Sequence, residues 1–267
     1  MFSVVIPLYN KELSIRNTIQ SILDQTFQKF EIVIVNDGST DSSTKVIEEI
    51  NDERIRLIHQ ENKGVSTARN RGIEEARFEW IAFLDGDDLW RENHLAEITK
   101  MMKVYPKEKV YATSYEYSDN RVMFKHPRST TIFKVEDYFA ESIKESLIWT
   151  SIAVIHKTCF KKVGAFNEQF SIGEDIDLWI RLAKVYKLVK SAEVTAIYRV
   201  DSENKLSMGK SKLKDSMFST LSLKGMKGSE RAYYKEILIV RLKNDVVRFK
   251  IWEIIQLLWK HNFELLK

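Results

Sequence analysis

The chain has 267 residues, 44% of them hydrophobic and 11% aromatic, which is the composition of an ordinary globular protein with material for a sizeable core. Its single cysteine, Cys159, excludes an internal disulfide and suits a reducing compartment. The net charge of +4 is unevenly spread: residues 205–267 carry 14 basic and 6 acidic residues, a net of +8, which leaves −4 for residues 1–204 and sets a compositional boundary near 205.

No basic-then-apolar leader precedes "MFSVVIPLYN", and no run of 18 apolar residues occurs. The main body therefore reads as soluble and cytoplasmic, with the inner face of the cell membrane as the alternative location. Over the first 117 residues, short β-branched runs alternate with helical patterns. "FSVVIP" (2–7), "FEIVIV" (30–35), "IRLIH" (55–59), "WIAFL" (80–84) and "VYATSYEY" (110–117) read as strands. Helical spacing covers about 12–25, 41–51, 66–76 and 93–105. Such alternation predicts an α/β fold, a mostly parallel sheet flanked by helices, because near-continuous apolar strands are buried on both faces. From 118 to 204 the pattern loosens. "SIAVIH" (151–156) and "VTAIYR" (194–199) read as strands, and "EDIDLWIRLAKVY" (174–186) as an amphipathic helix. Beyond 205 the pattern is helical, with Ile, Leu, Val and Trp at three- and four-residue spacing between basic residues from 231 to 266.

In an open parallel sheet, ligands bind outside the carboxyl ends of the strands. Polar clusters fall at three such ends: "PLYNKE" (7–12), "NDGSTD" (36–41) and "DGDD" (85–88). Asp37 can accept hydrogen bonds from a base or ribose, or make a simple turn with a helix cap. Arg69 and Arg71 lie on a helix near the same edge, where a guanidinium fork matches a phosphate or is merely solvated. Asp85 and Asp87 supply hard oxygen ligands, too few for an all-protein cage, which suits Mg²⁺ or Mn²⁺ completed by waters and a diphosphate. Glu174 and Asp175 open a helix, where the dipole favours carboxylates, and either could act as a general base. Cys159, three residues after His156, reads as a small buried residue rather than a nucleophile. No G-x-G-x-x-G follows a strand, which argues against a dinucleotide oxidoreductase.

Taken together, "VVIPLYNKE" (4–12), "VNDGSTD" (35–41), "NKGVSTARNRG" (62–72), "FLDGDD" (83–88), "VGAFNE" (163–168) and "GEDIDLWIR" (173–181) resemble family 2 glycosyltransferases of the GT-A fold. The resemblance implies an inverting transferase that moves a single sugar from a nucleotide-diphosphate sugar, UDP-linked in many relatives, to a hydroxyl. The acceptor would be a glycan or lipid-linked saccharide, as in bacterial surface polysaccharide assembly. It implies a GT-A domain over 1–204, with a nucleotide-binding half (1–117) and an acceptor-binding half (118–204), and a basic helical extension over 205–267. Pro7, Tyr9, Glu12, Asp37 and Arg69 would line the nucleotide pocket. Asp85 and Gly86 would face the donor, and Asp87 would ligate the Mn²⁺ or Mg²⁺. Asp88 would support the loop, and Asp175 would be the catalytic base beside Glu174. Glu174, Trp149 and Thr150 are the acceptor-side candidates. The sequence departs from the family where many relatives have Tyr-Arg-x-His: "YRVD" puts Asp201 at the histidine position, so either Asp201 completes the metal site or that ligand is absent.

Two other classes are open. A nucleotidyltransferase making a sugar nucleotide shares the frame, but "PLYNKE" lacks its glycine-rich phosphate loop. A sugar-nucleotide-binding protein without catalysis would not need the full acidic set. In the extension, Phe249, Trp252 and Trp259 interleave with Lys250 and Lys260. They could lie on an anionic membrane surface, or pack on the core or in a homodimer. The basic residues join no readout motif, so no nucleic-acid partner is expected.

Overall fold

The structure, a computed structural model, describes residues 1–121, 130–204, 212–248, 250–261 and 265. The chain begins with β1 (Phe2–Leu8), α1 (Ile15–Leu23), β2 (Phe30–Asp37), α2 (Ser43–Glu48), β3 (Ile55–Gln60), α3 (Val65–Glu75) and β4 (Trp80–Phe83). These strands are ordered β3-β2-β1-β4 and are all parallel. Every residue of β2 is buried, as expected of a strand covered on both faces. On α1, Ile15, Thr18, Ile19 and Ile22 turn one stripe onto the sheet, and each fully buried isoleucine contributes about 1.5–3 kcal/mol.

Next come β5 (Leu89–Trp90), α4 (His94–Val104), β6 (Val110–Tyr117), β7 (Ile132–Lys134), α5 (Tyr138–Ser142), β8 (Ala153–His156), α6 (Lys157–Val163), α7 (Glu174–Ala183) and β9 (Leu188–Tyr198). The sheet continues β4-β8-β6-β9-β5, with β7 also on β9. β8 runs antiparallel to β4 and β6, and β6 is parallel to β9. The expected strand 151–156 is shorter because Thr150–Ile152 forms a 3₁₀ turn. β9 starts six residues before the expected 194. Polar residues hide that start: buried Lys190 donates to the Thr113 carbonyl at 2.6 Å, and the register against β6 shifts nearby. Two-residue β5 is too short to carry a period-2 signal, yet it pairs antiparallel with Ala196 and Ile197.

The single helical pattern read over 231–266 is two helices, α8 (Gly228–Val247) and α9 (Ile251–Lys260). A second apolar cluster joins them to the body: Met217, Phe218, Leu238 and Leu257 pack with Phe170 and Ile180 of the 170–183 region. α8 lies against α5. On α9 only Leu257 is buried, while Ile251, Trp252 and Trp259 are 63%, 75% and 70% exposed. Phe249 lies outside the described residues. Cys159 is fully buried, and burial pushes its thiol up to about 11, which leaves it inert at neutral pH. No helix among the described residues is long and apolar enough to cross a membrane.

Candidate active site

The carboxyl ends of β1, β2 and β4 open on one cavity of about 440 Å³, closed on its other side by the start of α7 and the 149–150 turn. Pro7, Tyr9, Asp37, Arg69, Asp85, Gly86, Asp87, Trp149, Thr150, Glu174 and Asp175 all line it. Eleven of the thirteen residues read from the sequence are therefore brought together. Glu12 is not among them. Its carboxylate accepts from the Ser42 N–H at 2.8 Å, so it braces the β1–α1 loop against the start of α2. Asp201 is not among them either: its side chain is 75% exposed, with Arg199 Nε 3.9 Å away.

Asp37 closes the β2 end. Its Oδ1 accepts from Gln60 Nε2 and the Lys63 N–H, and its Oδ2 from the Gly64 N–H, each at 2.8 Å. The carboxylate thereby fixes the 60–64 loop while keeping an edge on the cavity.

Beyond β4, three aspartates diverge. Asp85 accepts from Arg69 Nη2 at 2.7 Å. Asp87 Oδ2 accepts from Lys11 Nζ at 2.6 Å and from Ser202 Oγ at 2.7 Å. Asp88 points inward, accepting from Ser151 Oγ at 2.7 Å and the Arg199 N–H at 3.1 Å. Burial, then the charges of Asp85 and Asp87, push the Asp88 carboxyl well above the usual range. Gly86 lets this loop cross β1: a β-carbon there would sit 3.2 Å from the Pro7 carbonyl oxygen. The positive partners of the acidic loop are thus Arg69 and Lys11. Lys11, the one cation inside "PLYNKE", also lines the cavity and is not among the residues the sequence points to.

Arg69 is only 4% exposed and also donates through Nη1 to Glu174 at 2.9 Å. Its guanidinium lies 5.1 Å from the Phe166 ring centre, and its Nε has no partner among the described residues. Burial opposes its charge, but Asp85 and Glu174 outweigh that and hold it more firmly protonated. Burial and the charge of Asp175 raise Glu174 to about 7 against the pull of Arg69. Burial also raises Asp175. A carboxylate pair at the head of a helix with raised pKa values has the chemistry of a general base. Behind it, Tyr138 of α5 and Tyr233 of α8 sit with ring centres 5.9 Å apart, close enough for the charge of Asp175 to be felt by both.

Among the described residues no three His, Cys, Asp or Glu side chains converge on one point. Asp85 and Asp87 at the cavity wall are the residues that could hold a hydrated divalent cation, and they do not form a cage by themselves.

Residues 3–164 match the family model described as glycosyl transferase family 2. A glycosyltransferase of Rickettsia typhi is 27% identical over 93% of this chain and 82% of its own length. Glycosyltransferase GlyG of Streptococcus pneumoniae is 33% identical over 70% of this chain and 65% of its own length. Among solved structures, S. aureus TarS 1–349 in complex with UDP-GlcNAc has a TM-score of 0.73 at 18% identity, covering 92% of this chain and 72% of that one. The mannosyltransferase PcManGT from Pyrobaculum calidifontis, in complex with GDP-Man and Mn²⁺, has a TM-score of 0.58 at 19% identity, covering 76% and 58%. The architecture is therefore GT-A. The chain belongs to glycosyl transferase family 2 and is a transferase by class.

Proposed function

We propose that this chain transfers a single sugar, with inversion, from a nucleoside-diphosphate sugar to a hydroxyl of a glycan or lipid-linked saccharide. The observation that carries this reading is one cavity bounded by Asp37, by Asp85 with Asp87, and by Glu174 with Asp175. The base sits at the Asp37 end against Tyr9 and Pro7, and a uracil N–H suits the Asp37 carboxylate edge. UDP-linked sugars are the preferred donors. Asp87, with Asp85 beside it, would hold Mn²⁺ or Mg²⁺. When bound, that cation stabilises negative charge growing on the leaving diphosphate. Asp175 takes the proton of the acceptor hydroxyl, and Glu174, anchored by Arg69, stands beside it. One base and no enzyme nucleophile give a single displacement, which inverts the anomeric carbon. Trp149 and Thr150 would contact the acceptor.

The division into a nucleotide half (1–117), an acceptor half (118–204) and an extension from 205 belongs to the same reading. The exposed α9 face of Ile251, Trp252 and Trp259, flanked by Lys250 and Lys260, supports contact with the cytoplasmic face of a membrane, where a lipid-linked acceptor would reside. Sedimentation with anionic vesicles would check it. Binding indifferent to anionic lipid, or a dimer that buries both tryptophans, would replace that contact with a protein interface.

A donor screen over UDP-, GDP- and dTDP-sugars with Mn²⁺ tests the main reading, following product by chromatography and the anomeric configuration by NMR. Free or transferred sugar with inverted configuration is the expected result. Release of pyrophosphate would instead indicate a nucleotidyltransferase, and binding without turnover a non-catalytic sugar-nucleotide protein.

A further inference from the structure

We propose that Lys11 is the protein's own counter-cation for the diphosphate end of the cavity, parked on Asp87 in the free protein and handed to the donor's phosphate oxygens on binding. This rests on the donor reading above. The Lys11 ammonium has three protons and three acceptors: Asp87 Oδ2 at 2.6 Å, the Asn204 carbonyl at 3.2 Å and the Glu203 carbonyl. Its side chain is 11% exposed and that of Asp87 15%, so the pair is largely out of water.

The same contacts clip the turn after β9 onto the β1–α1 loop. Glu203 Oε1 accepts from the N–H groups of Leu13 and Ser14 at 3.1 and 3.0 Å, and its Oε2 from Ser14 Oγ at 2.5 Å. Ser202 reaches Asp87, and Asn204 Nδ2 donates to the Tyr9 carbonyl at 3.1 Å. Asn10 and Asn204, one on each side of this clip, both adopt left-handed backbone (φ 50° and 46°), which asparagine tolerates better than most residues.

The consequence is electrostatic. A divalent cation seeking Asp87 meets an ammonium already there. Displacing that ammonium without a new partner would leave a desolvated charge uncompensated. A nucleoside diphosphate supplies the partner, so cation and diphosphate should strengthen one another's binding through Lys11, and reciprocally.

Free Mn²⁺ followed by electron paramagnetic resonance, titrated with and without UDP, tests this in the full chain. In Lys11→Met, Mn²⁺ alone is expected to bind at least about tenfold tighter than in wild type, because one positive charge within about 4 Å of a divalent cation repels it by more than that even at bulk-water dielectric. UDP affinity should fall, and the mutual strengthening should shrink. Lys11→Gln, which keeps an N–H donor without the charge, carries the same expectation if the methionine variant fails to fold. Lys11→Arg should behave as wild type. Glu203→Gln loosens the turn but leaves the charge at Asp87, so it should not tighten Mn²⁺. If it tightens Mn²⁺ as much as Lys11→Met does, the turn rather than the ammonium is the barrier and the proposal fails. If wild type binds Mn²⁺ and UDP but the Lys11 variants match it in both, the proposal fails alone. If wild type binds neither, the donor reading fails with it.

Discussion

Arg69 and Glu174 are 105 residues apart in the chain, yet the guanidinium Nη1 lies 2.9 Å from Glu174 Oε1. The same guanidinium reaches Asp85, so one buried cation joins the end of β4 to the head of α7. Removing it leaves two carboxylates facing each other without a counter-ion. Arg69→Met is expected to destabilise the fold by about 3–5 kcal/mol and to abolish transfer. Arg69→Lys, with one compact charge instead of a fork, should recover part of the stability but little activity. Urea midpoints and turnover of the same preparations check both.

Asp175→Asn removes the proposed base without changing shape. Transfer should be lost while the donor dissociation constant stays within about threefold. Calorimetric titration of the donor alongside a product assay separates the two. A variant that transfers normally would rule Asp175 out as the base.

The acidic pair also sets a pH dependence. A base works unprotonated, so kcat should rise with pH through the pair's joint titration, with Glu174 raised from 4.5 to about 7 by burial and by Asp175. Stability moves the other way. A carboxyl that holds its proton more tightly when folded favours the native state below its ordinary pKa of 4.5, and this contribution is lost as pH rises through about 7. Glu174→Gln should flatten that stability trend and shift the acid limb of the kcat profile downward. An unchanged limb would assign the titration elsewhere.

Asp87→Ala is expected to weaken cation-dependent donor binding by about tenfold or more, the loss of a charged ligand, and to leave cation-independent binding of the nucleoside intact. Thermal shifts with UDP-sugar, with and without Mn²⁺, measure it. Normal donor binding would show that Asp87 is not the ligand.

Gly72 lies one turn from Arg69 on α3, where a β-carbon would come within 2.2 Å of Val5 Cγ1 in β1. Gly72→Ala should cost about 1–3 kcal/mol through overpacking and displace the arginine. A lowered urea midpoint together with a raised donor KM is the expected pair of observations.

The periodic elements were legible in the sequence because burial imposes a pattern. β2 is covered on both faces and reads as a near-continuous apolar run, interrupted by Glu31, and α1 is covered on one and reads as a stripe. Asp37, Asp85 and Asp87 were legible because polar clusters at the strand ends of a parallel sheet face a crevice, and Asp175 because paired carboxylates at the head of a helix match the family resemblance. Glu12 was named from the first of those clusters, and Asp201 from the histidine position of the resemblance. One braces a neighbouring loop and the other faces outward, and nothing local in "KEL" or "VDS" encodes that direction. Lys11 went unassigned for the converse reason: its partners, Asp87 and the 203–204 carbonyls, come from distant parts of the chain.

Sequence alone determined the α/β class, the strand-end clusters and the resemblance to family 2 glycosyltransferases, since hydrophobic period and motif order are properties of neighbours along the chain. Only the tertiary structure decided which charge answers which. Arg69 was assigned to Asp85 and Glu174, Lys11 to Asp87, and Asp88 to the interior. Electrostatic pairing depends on distance through space and on what has been withdrawn from water, and the chain must fold before either has a value.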